Sequence, residues 1–142
     1  MADRQQTQHF AAELTGRYRR DRRALPAIAL TTDTSFLTAC ANDYGYESVF
    51  ARQLEAIGCK GDLFIAISTS GDSENIVQAL DIAKKNCIST VLLTGRTGGC
   101  MHGMADNEAN VQSTNTPRIQ EVHILFLHLL AERIEVAFVG PE

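Results

Sequence analysis

The chain has 142 residues, 44% of them hydrophobic and 21% charged, the balance of one globular domain with a core rather than of a disordered tract. Asp and Glu number 17 against 13 Lys and Arg, a formal net charge of −4, which argues against a nucleic-acid coat needing a broad positive field. No apolar run approaches the roughly 20 residues that span a bilayer, and the opening Met-Ala-Asp-Arg-Gln-Gln lacks the hydrophobic stretch of a secretory signal, so a cytoplasmic protein without membrane attachment is expected.

Phe10, Leu14 and Tyr18 recur every four residues and predict a helix from Asp3 to Tyr18, with Ala11 and Ala12 favouring it and Gly16 weakening its end. Arg17, Arg19, Arg20, Arg22 and Arg23 then form a basic cluster closed by Pro26. Either these cations offset the dipole of a solvated helix terminus, or one or two of them reach a phosphate. Ala27–Leu30 is a short apolar run after a proline, the form of a buried parallel strand. Polar Thr31–Ser35 leads into a helical stretch with Phe36, Leu37 and Ala39, then a turn over Asn42–Tyr46. Val49, Phe50, Leu54 and Ile57 have helical spacing within Ser48–Ile57, which stops at Gly58.

Leu63–Ile67 is the clearest strand. The loop Ser68–Asn75 follows it, then a helix through Ile76, Ala79, Leu80 and Ala83 to Lys85. Ser89–Leu93 predicts a further strand entering the glycine-rich turn Thr94–Gly99, and Ala109–Gln112 a short last one. From Arg118 to Phe138, Ile119, Val122, Phe126, Leu129, Leu130, Arg133 and Ala137 keep helical period, which predicts a final helix whose apolar face includes Ile119, Val122, Phe126 and Leu129. Short apolar strands alternating with helices predict an α/β fold: an open parallel sheet with helices on both faces, a three-layer αβα sandwich. Ligands in such folds bind beyond the carboxyl ends of the strands, here the loops after Leu30, Ile67 and Leu93.

Cys40, Cys59, Cys87 and Cys100 form no Cys-x-x-Cys pair, which argues against a zinc knuckle or redox dithiol. Cys40 and Cys59 lie among apolar or small residues and are expected to be small core residues.

Ser68, Thr69, Ser70 and Ser73 place four hydroxyls around Gly71, between a strand and a helix start. Free N–H groups, the positive dipole end and hydroxyl donors make an anion site there. The loop has no Lys, so it is no nucleotide P-loop, and a phosphate monoester held by neutral donors fits it. The competing reading is a generously decorated helix cap. His9 and Glu13 are four apart on the first helix, a spacing that suits two ligands of one metal ion, an acid–base pair or a plain surface ion pair. On the last helix His128 follows Gln120 by eight residues, roughly 80° around the axis, so both can line one cleft. His102 and His123 have no such partners in the sequence and are read as surface or packing residues.

The segments Gln8–Tyr18, Ala29–Ser35, Ala41–Gly45, Ile67–Gly71, Leu93–Gly99 and Arg118–His123 resemble, in order, the phosphoheptose isomerases of the sugar isomerase (SIS) superfamily. The resemblance implies a flavodoxin-like SIS domain over residues 1–142. It implies conversion of sedoheptulose 7-phosphate to D-glycero-D-manno-heptose 7-phosphate for lipopolysaccharide precursors, by a homotetramer holding zinc. Carried over, His9, Glu13, Gln120 and His128 are the zinc ligands, and Glu13 and His128 also the acid–base pair. Ser68, Thr69, Ser70 and Ser73 hold the sugar phosphate, and Asn42, Asp43 and Gln120 contact substrate.

Members of the family carry further N-terminal helices, and a strand ending in Gly-Asn-Gly-Gly-Ser, ahead of the segment that matches His9. Against that pattern the domain is expected to lack its first strand and N-terminal helices, with lower stability and weak or absent activity. Pro117 also stands where many relatives have Asp before Arg-Ile-Gln. Three readings follow: an isomerase; a non-catalytic relative of the initiator-associating kind, which lacks the Glu/His pair; and a phosphosugar-sensing or inactive fragment. Retention of Glu13 and His128 favours the first.

Overall fold

The computed structural model describes residues 2–140. They fall in two compact units, one running up to Thr32 and resuming at Gln120, the other Asp33–Ile119.

The second unit holds the sheet. Strands β1 (Leu63–Ser68), β2 (Ser89–Gly95) and β3 (Asn107–Val111) lie side by side in that order, all parallel. The register sets Leu63 against Ser89 and Val91 against Asn107. The apolar runs of β1 and β2 are the buried ones, through Ala66, Ile67, Leu92 and Leu93, as expected of strands covered on both faces. Helix α2 (Thr34–Tyr44) starts where the Asp33 carboxylate accepts the Phe36 N–H at 2.9 Å, a side-chain N-cap. It stops at Gly45, whose φ of 86° suits glycine. Helix α3 (Val49–Ile57), entered through a 3-10 turn at Tyr46–Ser48, buries Val49, Phe50, Ala51 and Leu54. Helix α4 (Glu74–Lys85) makes the crossover from β1 to β2 and buries Ala79, Leu80 and Ala83. Ala66, Leu80, Leu92 and Met101 form one core cluster; Leu54, Ala83 and Ile88 form another, and Phe64 packs against both.

The first unit contains α1 (Ala2–Thr15), the segment 16–32 and most of α5 (Thr116–Val139), which begins in the second unit. Gly16 closes α1 by donating its N–H to Ala12 O at 2.8 Å, so the helix ends short of Tyr18. Pro117 sits in the first turn of α5, where its missing N–H costs nothing.

Four expectations are corrected. Ala27–Leu30 forms no strand: the sheet of the described residues has three strands, none of them this segment. Four apolar residues do not make a strand unless a neighbour takes up their N–H and C=O groups. Here Leu25 and Ala29 are buried while Ile28 stays 71% exposed, so the run packs as an irregular segment. Asn42–Tyr44 is the last turn of α2, and only Gly45 leaves the helix. Cys59 is exposed just beyond α3, whereas Cys40 is buried as read. On α5 the buried stripe is Ile119, His123, Leu127, Ala131 and Glu135, while Val122 and Leu129 face outward. A helix apolar on most of its circumference offers two candidate faces, and hydropathy selects the wrong one when a His and a Glu belong to the buried one.

Candidate active site

In the first unit α1 presents His9 and Glu13 one turn apart, and α5 brings His128 to them. His9 Nε2 lies 3.1 Å from Glu13 Oε1, His128 Nε2 lies 3.7 Å from the same oxygen, and the two Nε2 atoms are 3.2 Å apart. A tetrahedral zinc ion with ligand bonds of about 2.0–2.1 Å separates its donor atoms by about 3.3 Å. Three donor atoms of types proper to zinc, two imidazole nitrogens and one carboxylate oxygen, thus stand about as far apart as the corners of one coordination polyhedron. Glu13 Oε2 is buried and has no hydrogen-bond partner, a cost that a cation held by the carboxylate would remove. Gln120 stands two turns before His128 on α5, and its backbone carbonyl accepts the Gln6 side-chain N–H at 2.8 Å. The residues present therefore fit a metal ion.

The surroundings of the cluster include groups that sequence reasoning left out. The Tyr18 ring stacks on His128 with centroids 5.9 Å apart and planes 24° from parallel. Arg22, in the arginine cluster, is not solvated: its side chain is 2% exposed, and its Nε lies 3.4 Å from Glu135 Oε1. Arg22 Nη2 donates to Glu13 O at 2.7 Å and Nη1 to Leu14 O at 2.9 Å, filling the open carbonyls at the end of α1. The Glu135 carboxylate accepts the N–H groups of Arg19 and Arg20. Burial alone would push its carboxyl up, but the backbone donors of Arg20, Arg19 and Tyr18 and the Arg22 guanidinium hold it below the ordinary carboxylate range. Arg19 pairs with Glu132 at the surface. The expectation of a solvated helix terminus is thereby corrected at Arg22, which is buried against Glu135.

In the second unit the loop after β1 is built around Ser68. Its buried hydroxyl lies 3.2 Å from Ser73 Oγ and accepts the Gly71 N–H at 3.2 Å, while Ser70 Oγ accepts the Asp72 N–H. Ser73 is the N-cap residue of α4, yet its side chain makes no cap bond. Its hydroxyl turns into the loop, toward Ser68 Oγ, rather than capping the helix. The loop is held from behind by the turn after β2. The Met101 N–H bonds Gly71 O at 3.1 Å, and the Cys100 N–H bonds Asp72 Oδ1 at 2.9 Å. That turn is anchored by Glu108, which accepts from the Thr94 hydroxyl, the Gly103 N–H and the His102 ring. Burial raises the Glu108 carboxyl, and those donors outweigh it and lower it. His102 therefore has a partner after all, and it is Glu108. Thr69 is half-buried beside Ser68. Asn42 and Asp43 sit exposed on the last turn of α2, with Asn42 Nδ2 donating to Asp43 Oδ1 at 2.9 Å.

Residues 4–95 match the SIS domain family. The chain is 59% identical over 128 residues to the phosphoheptose isomerase of Aliarcobacter butzleri, covering 90% of this chain and 68% of that one. With the phosphoheptose isomerase of Sulfurimonas denitrificans it shares 58% over 133 residues, 94% of this chain and 68% of the relative. Among solved structures, phosphoheptose isomerase GmhA from Neisseria gonorrhoeae superposes with a TM-score of 0.89 at 43% identity, covering 95% of this chain and 72% of that one. A phosphoheptose isomerase from Francisella tularensis gives 0.89 at 39% identity, over 93% and 71%. The expected α/β fold with an open parallel sheet is borne out by these structures. On identity, coverage and fold together, the chain belongs to the phosphoheptose isomerase family of SIS-domain proteins.

Proposed function

We propose that the chain, read as one SIS domain, interconverts sedoheptulose 7-phosphate and D-glycero-D-manno-heptose 7-phosphate. The observation that carries this is the meeting of Glu13 and His128, from opposite ends of the chain, with Oε1 and Nε2 3.7 Å apart. Aldose–ketose isomerisation shifts a proton between the first two carbons of the sugar through an enediol. One group must take the carbon-bound proton while another serves the oxygens. Glu13, a carboxylate packed against two imidazoles, is assigned the carbon proton, and His128 the oxygen. His9, Glu13, Gln120 and His128 are the proposed ligands of a zinc ion, which when bound supplies Lewis-acid polarisation of the carbonyl.

Ser68, Thr69, Ser70 and Ser73, with the start of α4, hold the phosphate through neutral donors. Asn42 and Asp43 bind sugar hydroxyls, and Gln120 contacts the substrate as well as the ion. The non-catalytic reading is disfavoured because both members of the acid–base pair are present and adjacent. The outward stripe of Val122, Leu125 and Leu129 on α5 supports a homotetramer. A cytoplasmic location fits supply of a heptose precursor for lipopolysaccharide, and no helix of the described residues is long and apolar enough to cross a membrane.

The test is turnover of sedoheptulose 7-phosphate by the full chain with added zinc, beside Glu13→Gln and His128→Ala. Turnover abolished in both variants supports the assignment. A folded wild-type chain that binds the sugar phosphate without converting it overturns it.

A further inference from the structure

We infer that the buried Arg22–Glu135 pair positions the metal-binding cluster, acting through Glu13 on one side and through Tyr18 and His128 on the other. The inference rests on the reading of His9, Glu13 and His128 as metal ligands.

The pair is out of place by ordinary rules. A buried ion pair gains little for folding over a well-packed apolar pair of the same shape, because both charges must be desolvated. This one is nearly sealed, with side chains 2% and 3% exposed. Its hydrogen bonds all go to backbone near the cluster. From Arg22, Nη2 reaches the carbonyl of Glu13 itself, at 2.7 Å, and Nη1 reaches the next carbonyl, Leu14 O. A planar fork can hold two successive carbonyls at once; an ammonium is a point donor on a flexible stem. The backbone of Glu13 is thereby pinned in the last turn of a helix, where carbonyls lack an intrahelical partner.

Glu135 works on the other side. Its carboxylate takes the N–H groups of Arg19 and Arg20, the two residues that follow Tyr18, at 3.0–3.3 Å. This fixes the bend that lays the Tyr18 ring on His128. Glu135 and His128 share α5, seven residues or about two turns apart. One ion pair therefore joins the end of α1, the bend after it and α5, the three places that carry Glu13, Tyr18 and His128. Outer partners of this kind set how metal ligands point, and their loss costs ten- to a hundredfold in metal affinity. Arg22 and Glu135 are positioning residues, since neither touches the ligand atoms.

The test uses the full chain loaded with cobalt(II), whose visible spectrum reports ligand geometry, with affinity read by competition against a chromophoric chelator. Arg22→Lys keeps the charge and removes the fork. Glu135→Gln keeps the acceptor shape and removes the charge. Leu25→Ala, at a buried apolar position of the same unit, serves as a control of comparable thermal destabilisation. Arg22→Lys and Glu135→Gln should bind cobalt ten- to a hundredfold more weakly with a shifted visible band, and Leu25→Ala should match wild type within about twofold. Wild-type affinity and spectrum in Arg22→Lys, or equal weakening in Leu25→Ala, overturns the positioning role.

Should both pair variants fail to fold, Tyr18→Leu, which spares the ion pair, carries the test: an unchanged cobalt spectrum there overturns the inference. A wild-type chain that takes up no cobalt overturns the metal reading, and the positioning role with it. Cobalt uptake with unaffected variants removes the inference alone.

Discussion

Gly71 and Gly98 touch backbone to backbone: a methyl group built on Gly71 would overlap the Gly98 carbonyl. Two loops from different strand ends are pressed together there, and the Gly71 φ of 75° is a conformation that L side chains rarely adopt. Gly71→Ala must therefore separate the loops or strain them, at a cost of at least about 1–2 kcal/mol from the left-handed backbone alone. The expected outcome is a lower melting temperature together with a raised KM for the sugar phosphate. A variant with wild-type KM would mean that the loop does not bind the phosphate.

Asp72 ties the loop after β1 to the turn after β2. Its carboxylate accepts the Cys100 N–H, so Asp72→Ala releases the turn after β2 and leaves that N–H without its bond. Loss of one such charge-assisted bond costs about 1.5–3 kcal/mol. Inorganic phosphate affinity, measured by calorimetry, should fall several-fold, and Asp72→Asn, whose amide oxygen can still accept, should recover most of it.

Metal removal gives a separate handle on the first unit. A ligand that binds only the folded chain stabilises it by about 2.7 kcal/mol at a hundredfold excess over its dissociation constant. Zinc should raise the melting temperature and excess chelator should reverse the rise. Glu13→Gln, which removes the charge beside two histidines 3.1 and 3.7 Å away, should abolish the response. A zinc response that survives Glu13→Gln would place the ion elsewhere.

Strands β1 and β2 were legible because each is an apolar run bounded by polar turns, and burial on both faces demands that composition. Ala27–Leu30 has the same composition on a smaller scale, and composition cannot say whether a neighbouring strand will satisfy its backbone. His9 and Glu13 were legible as a helical pair. Their meeting with His128 was not, since nothing in local spacing reports a contact between opposite ends of the chain; the family resemblance alone pointed to it. Arg22 and Glu135 were hidden for the opposite reason. Charged residues are read as solvated, so a buried pair is invisible until its partners are seen. The trace was the position of Glu135 on α5, in step with the buried Ile119, Leu127 and Ala131.

The outward stripe of α5 tests assembly. Val122, Leu125 and Leu129 are 46%, 56% and 52% exposed, an apolar row on a helix whose other face is already buried. If subunits pack through it, Leu125→Asp should convert the assembly to smaller species in sedimentation while leaving the helical circular dichroism intact. A wild-type chain that sediments as a monomer would exclude the tetramer.

Acid should loosen the second unit through Glu108. Its carboxyl is held below the ordinary range by the Gly103 N–H, the Thr94 hydroxyl and His102, against the opposing effect of burial. A carboxyl lowered in the folded state binds fewer protons there than in the unfolded chain, so it stabilises the fold above its unfolded pKa of about 4.3. That contribution disappears as pH falls from there through the lower folded value. Asp106, lowered by the Thr90 N–H and hydroxyl, acts in the same direction. The melting temperature should therefore drop steeply between about pH 5 and 3. Glu108→Gln should start lower at pH 7 and decline less over that interval, because its amide does not titrate. Parallel declines in wild type and variant would show that other carboxylates govern the acid limit.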